Sequence, residues 1–524
     1  YELSNDRNMG VSKTNLIVQD VPSLETAIGE ALASENLGHW STEGYFFRGT
    51  YNYKEKYMVE SNLRYDGTSR FRQGNRWGFF PSFSAGWVIS KENFWKTVSP
   101  YINTLKFRGS WGQLGNQNVE PYQDLALIPL ESGTLNWLYE NGGTRPIGYT
   151  STPGLVSPSL TWETATTKNL GFNTAFLNHR LQFDFDMFER TTTDMIGPAE
   201  AAPGVLGASI PKSNNATLRT RGWEAVLRWK QSFKNSFSYY INLNISDNTS
   251  IVTKYNNPDK LISTWYEGKE VGEIWGYTCN GLFQTQEEVA NHPSQKFIFG
   301  TWYAGDIKLE DLNDDKVINN GSNTVDDPGD MKIIGSNSPH YQFGTSFGLS
   351  FKGFDFSMLW KGTAKMDIDQ HFGRYGSQAY FGFLSASFSG LNKNHLDYFR
   401  DKPGDKYTGL YEGDANINLD AWLPKPYMNS NENAKNRVPT TRYLLNGAYI
   451  RMQNIQMGYS LPSSFISKLH LSKLRVYLSG ENLLTFSHMP KGVDPVAFAG
   501  YNGVYLGYTY GADRLISVGL TVTY

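Results

Sequence analysis

The sequence holds one cysteine, Cys279, in 524 residues. A lone thiol excludes an intrachain disulfide and any cysteine-based metal site, and a small buried residue is its plain role. Long apolar runs are missing too: nothing approaches the roughly 20 consecutive residues a spanning helix needs, and the mean hydropathy is −0.46. A helical membrane protein is thereby excluded. Neither sign of charge prevails, with 48 Lys and Arg against 50 Asp and Glu, so no nucleic-acid footprint shows and nucleic acid is not expected as a partner. Catalytic patterns are absent as well. The eight histidines are scattered, no H-x-x-x-H or G-x-S-x-G occurs, and paired carboxylates such as Glu310/Asp311 sit in polar stretches with nothing to tune them. The sequence reads as a non-enzyme.

Aromatic residues are plentiful: 32 Tyr, 31 Phe and 14 Trp. That exceeds the ordinary use of a core this size, and two aromatic girdles at membrane interfaces would absorb it. Strict two-residue alternation recurs. In RLISVGLTVTY, at the end of the sequence, Ile516, Val518, Leu520, Val522 and Tyr524 share one face against Ser517, Gly519, Thr521 and Thr523. NSFSYYINLNIS sets Phe237, Tyr239, Ile241, Leu243 and Ile245 against Ser238, Asn242, Asn244 and Ser246; LQFDFDMFER sets Leu181, Phe183, Phe185 and Met187 against Gln182, Asp184 and Asp186. A soluble sandwich alternates too, but with strands of five or six residues. These runs are nearly twice that, and roughly 9 to 11 tilted residues cross a bilayer.

About fourteen strands are expected, the clearest near 43–53, 55–67, 77–90, 104–115, 164–177, 179–192, 217–230, 235–248, 340–352, 353–364, 447–461, 472–486 and 514–524. Short polar turns (LNHR, KQSFKN, FKGFD) alternate with long polar stretches at 117–162, 192–216, 250–339 and 365–445. Short turns on one side and long loops on the other describe an outer-membrane β-barrel with periplasmic and extracellular ends. The expected organisation is an irregular extracellular segment over 1–40 and transmembrane strands with long extracellular loops over 41–524. Two helical runs stand out, Ser23 to Ser34 and Ser463 to His470, both assigned to loops. The opening YELSNDRNMG carries no signal peptide and reads as the middle of a chain, so a fragment or processed form is expected.

Ordered motifs across nearly the whole length carry a family resemblance. LRYDGTSRFRQGNRWGFFPSFSAGWVISKENFW (Leu63 to Trp95), LKFRGSWGQLGNQNV (Leu105 to Val119) and TWETATTKNLGF (Thr161 to Phe172) come first. TRGWEAVLRW (Thr220 to Trp229), EGKEVGEIWGYTCNGLFQ (Glu267 to Gln284), AYIRMQNIQMGYSLP (Ala448 to Pro462) and LSGENLLTFSHMPKGVDP (Leu478 to Pro495) follow. Together they resemble the SusC-like branch of the TonB-dependent outer-membrane transporters of Bacteroidota. The resemblance implies an all-β chain, the C-terminal part of a 22-stranded transmembrane antiparallel barrel, without the plug domain. It further implies TonB-driven import of oligosaccharides or oligopeptides across the outer membrane. The implied partners are a SusD-like lipoprotein, the TonB complex, a plug-bearing N-terminal part, outer-membrane lipid, and a second copy in a dimer of SusC–SusD pairs. Tyr524 is similar to the terminal aromatic signal for barrel insertion. A surface-binding or adhesin-like β protein without transport is the alternative.

Candidate sites follow. Loop aromatics in pairs, Trp137 and Tyr139, Trp265 and Tyr266, Trp302 and Tyr303, Tyr380 and Phe381, could stack on sugar rings or hold peptide side chains. On the lumen side, Asp184, Asp186, Asn242 and Asn244 could hydrogen-bond a solute or the plug. Asp311, Asn313, Asp315 and the Val317 carbonyl have the alternate spacing of a calcium loop, though Lys316 stands at the turn-glycine position and Ser322 where a glutamate would close the site. Asp326 or Asp327 could supply that carboxylate. No cofactor is expected beyond Ca²⁺ at this loop.

Overall fold

The computed structural model describes the chain apart from residues 19–22, 124, 127–129, 132–148, 151–154, 158, 198–209, 370–392, 406, 408, 428–429, 467–470, 490–492 and 500–510. Fourteen strands form one sheet: β1 (Glu2–Ser12), β2 (Leu32–Tyr53), β3 (Tyr57–Thr68), β4 (Trp77–Val88), β5 (Ile102–Asn116), β6 (Glu163–Phe176) and β7 (Leu181–Ile196), then β8 (Asn214–Ser232), β9 (Phe237–Lys254), β10 (His340–Phe351), β11 (Phe354–Lys365), β12 (Tyr449–Ser460), β13 (Lys473–Ser487) and β14 (Leu515–Thr523). Each pairs with the next in sequence, so the sheet is an up-and-down meander bounded by β1 and β14. Every pairing is antiparallel.

Two segments differ from expectation. Residues 1–40 are not irregular, because Glu2–Ser12 and Leu32–Tyr53 are strands of the main sheet. In β1 the face of Leu3, Met9 and Val11 also carries Asn5 and Arg7, which breaks the apolar alternation that marks a lipid-facing strand. Backbone pairing with β2 holds it, together with the Arg7–Glu35 ion pair at 2.5 Å. The helical reading of Ser23–Ser34 also fails: the described residues there are bends running into β2, while Ser463–Ile466 does form one short turn of helix.

The period of two sorts the side chains. Register aligns Tyr239, Leu349, Phe356, Met457, Leu478 and Val518 across six strands, and Met457, Leu478 and Val518 stay 57%, 52% and 79% exposed. Water would penalise such a belt, while hydrocarbon leaves it at no cost. Aromatics bound the belt at two heights. Tyr53, Tyr57 and Trp87 stack beside the short turns, with centroids 6.5 and 6.4 Å apart. Tyr65 stacks on Trp77 at 4.8 Å towards the long loops. Tyr57 and Tyr65 are eight residues apart on β3, about 26 Å of strand at roughly 3.3 Å per residue, or roughly 20 Å of height at a tilt near 40°, the same order as the roughly 25 Å apolar band of an outer-membrane barrel.

The girdle tips are held by hydrogen bonds, as amphipathic rings at an interface require. Glu92, on the connection after β4, accepts from the Tyr57 hydroxyl (2.7 Å), the Trp87 indole (3.3 Å) and Lys56 (3.0 Å). The Tyr57 hydrogen bond, then those of Lys56 and Trp87, hold its carboxyl down to about 2.

Candidate functional site: lumen wall and extracellular loops

On the face opposite the apolar belt, several charges are paired with one another. Arg108 on β5 grips Asp186 on β7 with both guanidinium nitrogens and donates through Nε to Asn173 on β6 (3.1 Å). Asn173 donates to Asp184 (2.6 Å), which also receives Arg228 from β8. One polar chain therefore crosses four strands. Arg475 holds Asp355 and Gln456 farther round, its guanidinium lying where a Cβ on Gly458 would stand. Asn242 donates to Ser346 at 3.0 Å. Asp184 and Asp186 thus lie on the lumen face, as read from the alternation, but their charge is spent on arginines. Those arginines were not singled out from sequence, although each sits at an inward position.

The long connections 255–339 and 366–448 are not bare loops. Three small antiparallel pairs organise them: Glu273–Tyr277 with Met331–Ser336, Cys279–Leu282 with Ile307–Leu309, and Asp367–Asp369 with Leu444–Asn446. Phe283, Ile307, Leu309, Ile318, Phe399 and Leu423, all within 1% of full burial, belong to one apolar core shared by both connections. A buried ion pair sits beside it. Lys435 Nζ lies 2.8 Å from Asp306, both side chains fully buried. Asp306 also accepts from Tyr427 Oη, Asn436 Nδ2 and the Tyr303 amide, each at 2.8 Å. The ammonium donates to the Thr301 carbonyl (3.0 Å) and faces the rings of Tyr427 and Tyr303 at 4.3 and 4.9 Å. Burial, then the Asp306 charge, push the Tyr427 phenol well above its ordinary range. Such a pair survives burial because Asp306 accepts four hydrogen bonds and the ammonium meets Asp306, the Thr301 carbonyl, the rings and, at 3.8 Å, Glu432.

The expected ligand aromatics separate on inspection. Trp302 is buried in the shared core, its indole donating to the Gln295 and Phe299 carbonyls. Tyr266 is buried, with its hydroxyl on Glu273 and Lys269 over its ring, and Trp265 packs edge-on to Tyr255. Trp302 and Tyr266 are packing residues, not open stacking platforms, whereas Trp265 is half-buried. Tyr303 is 41% exposed and offers a ring to solvent. Trp137, Tyr139, Tyr380 and Phe381 lie outside the described residues.

Asp311, Asn313, Asp315 and Val317 do come together, in one tight turn with Asp314 and Lys316 at positive φ. Their oxygens mostly serve that turn: Asp311 accepts from the Lys316 amide, Asn313 from Asp315, and Asp315 from Val317. Asp311 Oδ1 is buried without a hydrogen-bond partner. Buried Asp330, rather than Asp326 or Asp327, closes the loop, accepting from the Leu312 and Asn319 amides at 2.8 Å. Among the described residues no group of three or more His, Cys, Asp or Glu is placed to hold a metal. Tyr524 follows β14 and is 92% exposed.

An apolar belt, a charge-paired inner face and folded loops at one end are the anatomy of an outer-membrane barrel, and comparison places it. The family model described as "TonB dependent receptor-like, beta-barrel" matches residues 28–287. Over those residues, just under half of its length, the chain carries the TonB-dependent receptor barrel. Receptor P3 of Formosa agariphila, named a TonB-dependent receptor, is 28% identical over 474 residues, covering 86% of this chain and 42% of its own length. The TonB-dependent receptor SusC of Bacteroides thetaiotaomicron is 27% identical over 459 residues, 87% of this chain and 41% of that protein. The chain therefore spans less than half the length of these relatives. Among solved structures, that of the RagAB peptide transporter covers the whole chain and 52% of its own, with a TM-score of 0.73 at 19% identity, a likeness of fold. The family is one of receptors, not enzymes, and its barrels lie in the outer membrane.

Proposed function

We propose that this barrel is the conducting wall of a TonB-dependent importer of oligosaccharides or oligopeptides, working beneath a SusD-like surface lipoprotein as a dimer of such pairs. The observation that carries the reading is the inner wall. Arg108, Asp186, Asn173, Asp184 and Arg228 form a continuous hydrogen-bonded strip facing away from lipid. Within this strip the charges are matched and stay hydrated, so a neutral sugar or a zwitterionic peptide can pass it without being trapped. The folded loops above it, with the Tyr303 ring exposed, supply a rigid rim on which a lipoprotein could close.

Energy would come from the TonB complex acting on a plug contributed by the rest of the protein. The test is mass spectrometry of the detergent-extracted native complex. A plug-bearing polypeptide, a lipoprotein and a co-purifying glycan or peptide support the reading and name the cargo. Recovery of this protein without detergent, alone and without lipid, would overturn it.

A further inference from the structure

The outer face carries a feature that import does not use. Across β3 to β7, register aligns Val59, Ala85, Gly109, Leu170 and Met187. Ala85 and Gly109 are too small to fill their share of the belt. Trp87, Phe107 and Phe172 wall the gap on the side of the short turns. The result is an apolar notch of about 610 Å³ opening toward lipid.

Two residues farther along the same faces, toward the long loops, the chemistry changes. Lys168, Glu189 and Arg221 stand in register across β6, β7 and β8. Arg221 Nε lies 2.7 Å from Glu189 and Lys168 Nζ 3.9 Å, with the Arg221 and Lys168 side chains 65% and 66% exposed. Arg219 is next on the same face of β8, opposite Thr191. Three cations thus surround one carboxylate, leaving an excess of positive charge. The nearest other acid on this face, Asp247 opposite Trp223, is occupied by His340 at 2.8 Å.

Height decides what meets this cluster. Lys168 lies eight residues from the end of β6 at the short turn, and Arg221 eleven from that end of β8. That is about 26 and 36 Å of strand, or roughly 20 and 28 Å of height at a tilt near 40°. The cations therefore stand at the extracellular border of the hydrocarbon, where lipid headgroups lie, and the notch lies in the hydrocarbon below them.

We infer that this face binds the phosphorylated glycolipid of the outer leaflet, lipopolysaccharide, with a phosphate on Lys168, Arg219 and Arg221 and an acyl chain in the notch over Gly109. Guanidinium and ammonium groups match phosphate oxygens in charge and geometry. An acyl chain fills an apolar gap that lipid must in any case cover. The inference rests on placement in the outer membrane and not on the import reading.

The test uses the full-length receptor in lipid-free detergent, incubated with lipopolysaccharide, with dephosphorylated lipopolysaccharide or with phosphatidylglycerol, and read by native mass spectrometry. Wild type should retain lipopolysaccharide, the Lys168→Gln/Arg219→Gln/Arg221→Gln variant should lose it about tenfold, and dephosphorylation should weaken it comparably. Gly109→Leu, whose Cβ would meet Leu170 at 3.1 Å, should reduce retention with the charges intact. Heat-shifted gel mobility confirms that each variant is folded, and if the triple variant is not, the wild-type comparison of the two lipopolysaccharides decides alone. Equal retention by wild type and triple variant, equal retention of the dephosphorylated form, or tighter binding of phosphatidylglycerol would overturn the inference.

Discussion

Lys435 shows how much a single residue can carry outside the membrane. Its side chain is fully buried, and Asp306, the Thr301 carbonyl, a set of aromatic rings and, at 3.8 Å, Glu432 surround its ammonium. Lys435→Met leaves Asp306 charged and buried, a loss of about 3–5 kcal/mol. Hydrogen exchange across 295–310 and 425–443 should rise sharply while heat-shifted gel mobility of the barrel stays unchanged. His292 makes a second prediction. Its ring stands edge-on to Phe283 at 5.0 Å, and burial, the leading cause, holds its pKa below the ordinary 6.5. The unfolded loop therefore takes up a proton that the folded loop refuses. Local stability is full above the ordinary value and falls as pH drops beneath it. Exchange protection over 285–310, corrected for intrinsic rates, should be lower at about pH 5.5 than at about 7.5, and His292→Phe should abolish the difference.

At the scale of the strand, the two faces predict opposite outcomes for one substitution. Leu243 faces lipid near the middle of β9, and neighbouring Asn242 faces the lumen, donating to Ser346. Leu243→Arg should cost about 2–4 kcal/mol in urea unfolding from lipid vesicles, whereas Asn242→Arg should cost far less and show its effect in transport. The same alternation made the strands legible: thirteen of the fourteen were placed from periodicity, because a lipid-facing strand must repeat every two residues. β1 escaped because Asn5 and Arg7 interrupt its apolar face. The loop core escaped for another reason. Its members are spread from Tyr277 to Tyr443, two connections far apart in sequence, and no local period links them. For that reason Trp302 and Tyr266, offered as ligand contacts from their loop setting, prove to be packing residues. The pairing of Asp184 and Asp186 with arginines was likewise invisible without register, although the inward position of both acids was not.

For the whole molecule, the sheet, the apolar belt and the family agree on an outer-membrane barrel, and the partly charge-paired wall and folded rim fit the proposed passage of a polar solute. The resemblance read from ordered motifs gave the family, while under the proposed function the cargo would depend on surfaces that this chain shares with the rest of the protein and with a lipoprotein. The central claim is energised import. It is tested most directly by uptake of a panel of labelled oligosaccharides and oligopeptides into cells carrying the full-length receptor, compared with receptor-deleted cells and with cells whose proton-motive force is collapsed. The account predicts that at least one member of the panel accumulates only in energised, receptor-bearing cells. Binding of that solute at the surface with no receptor- and energy-dependent accumulation would contradict it.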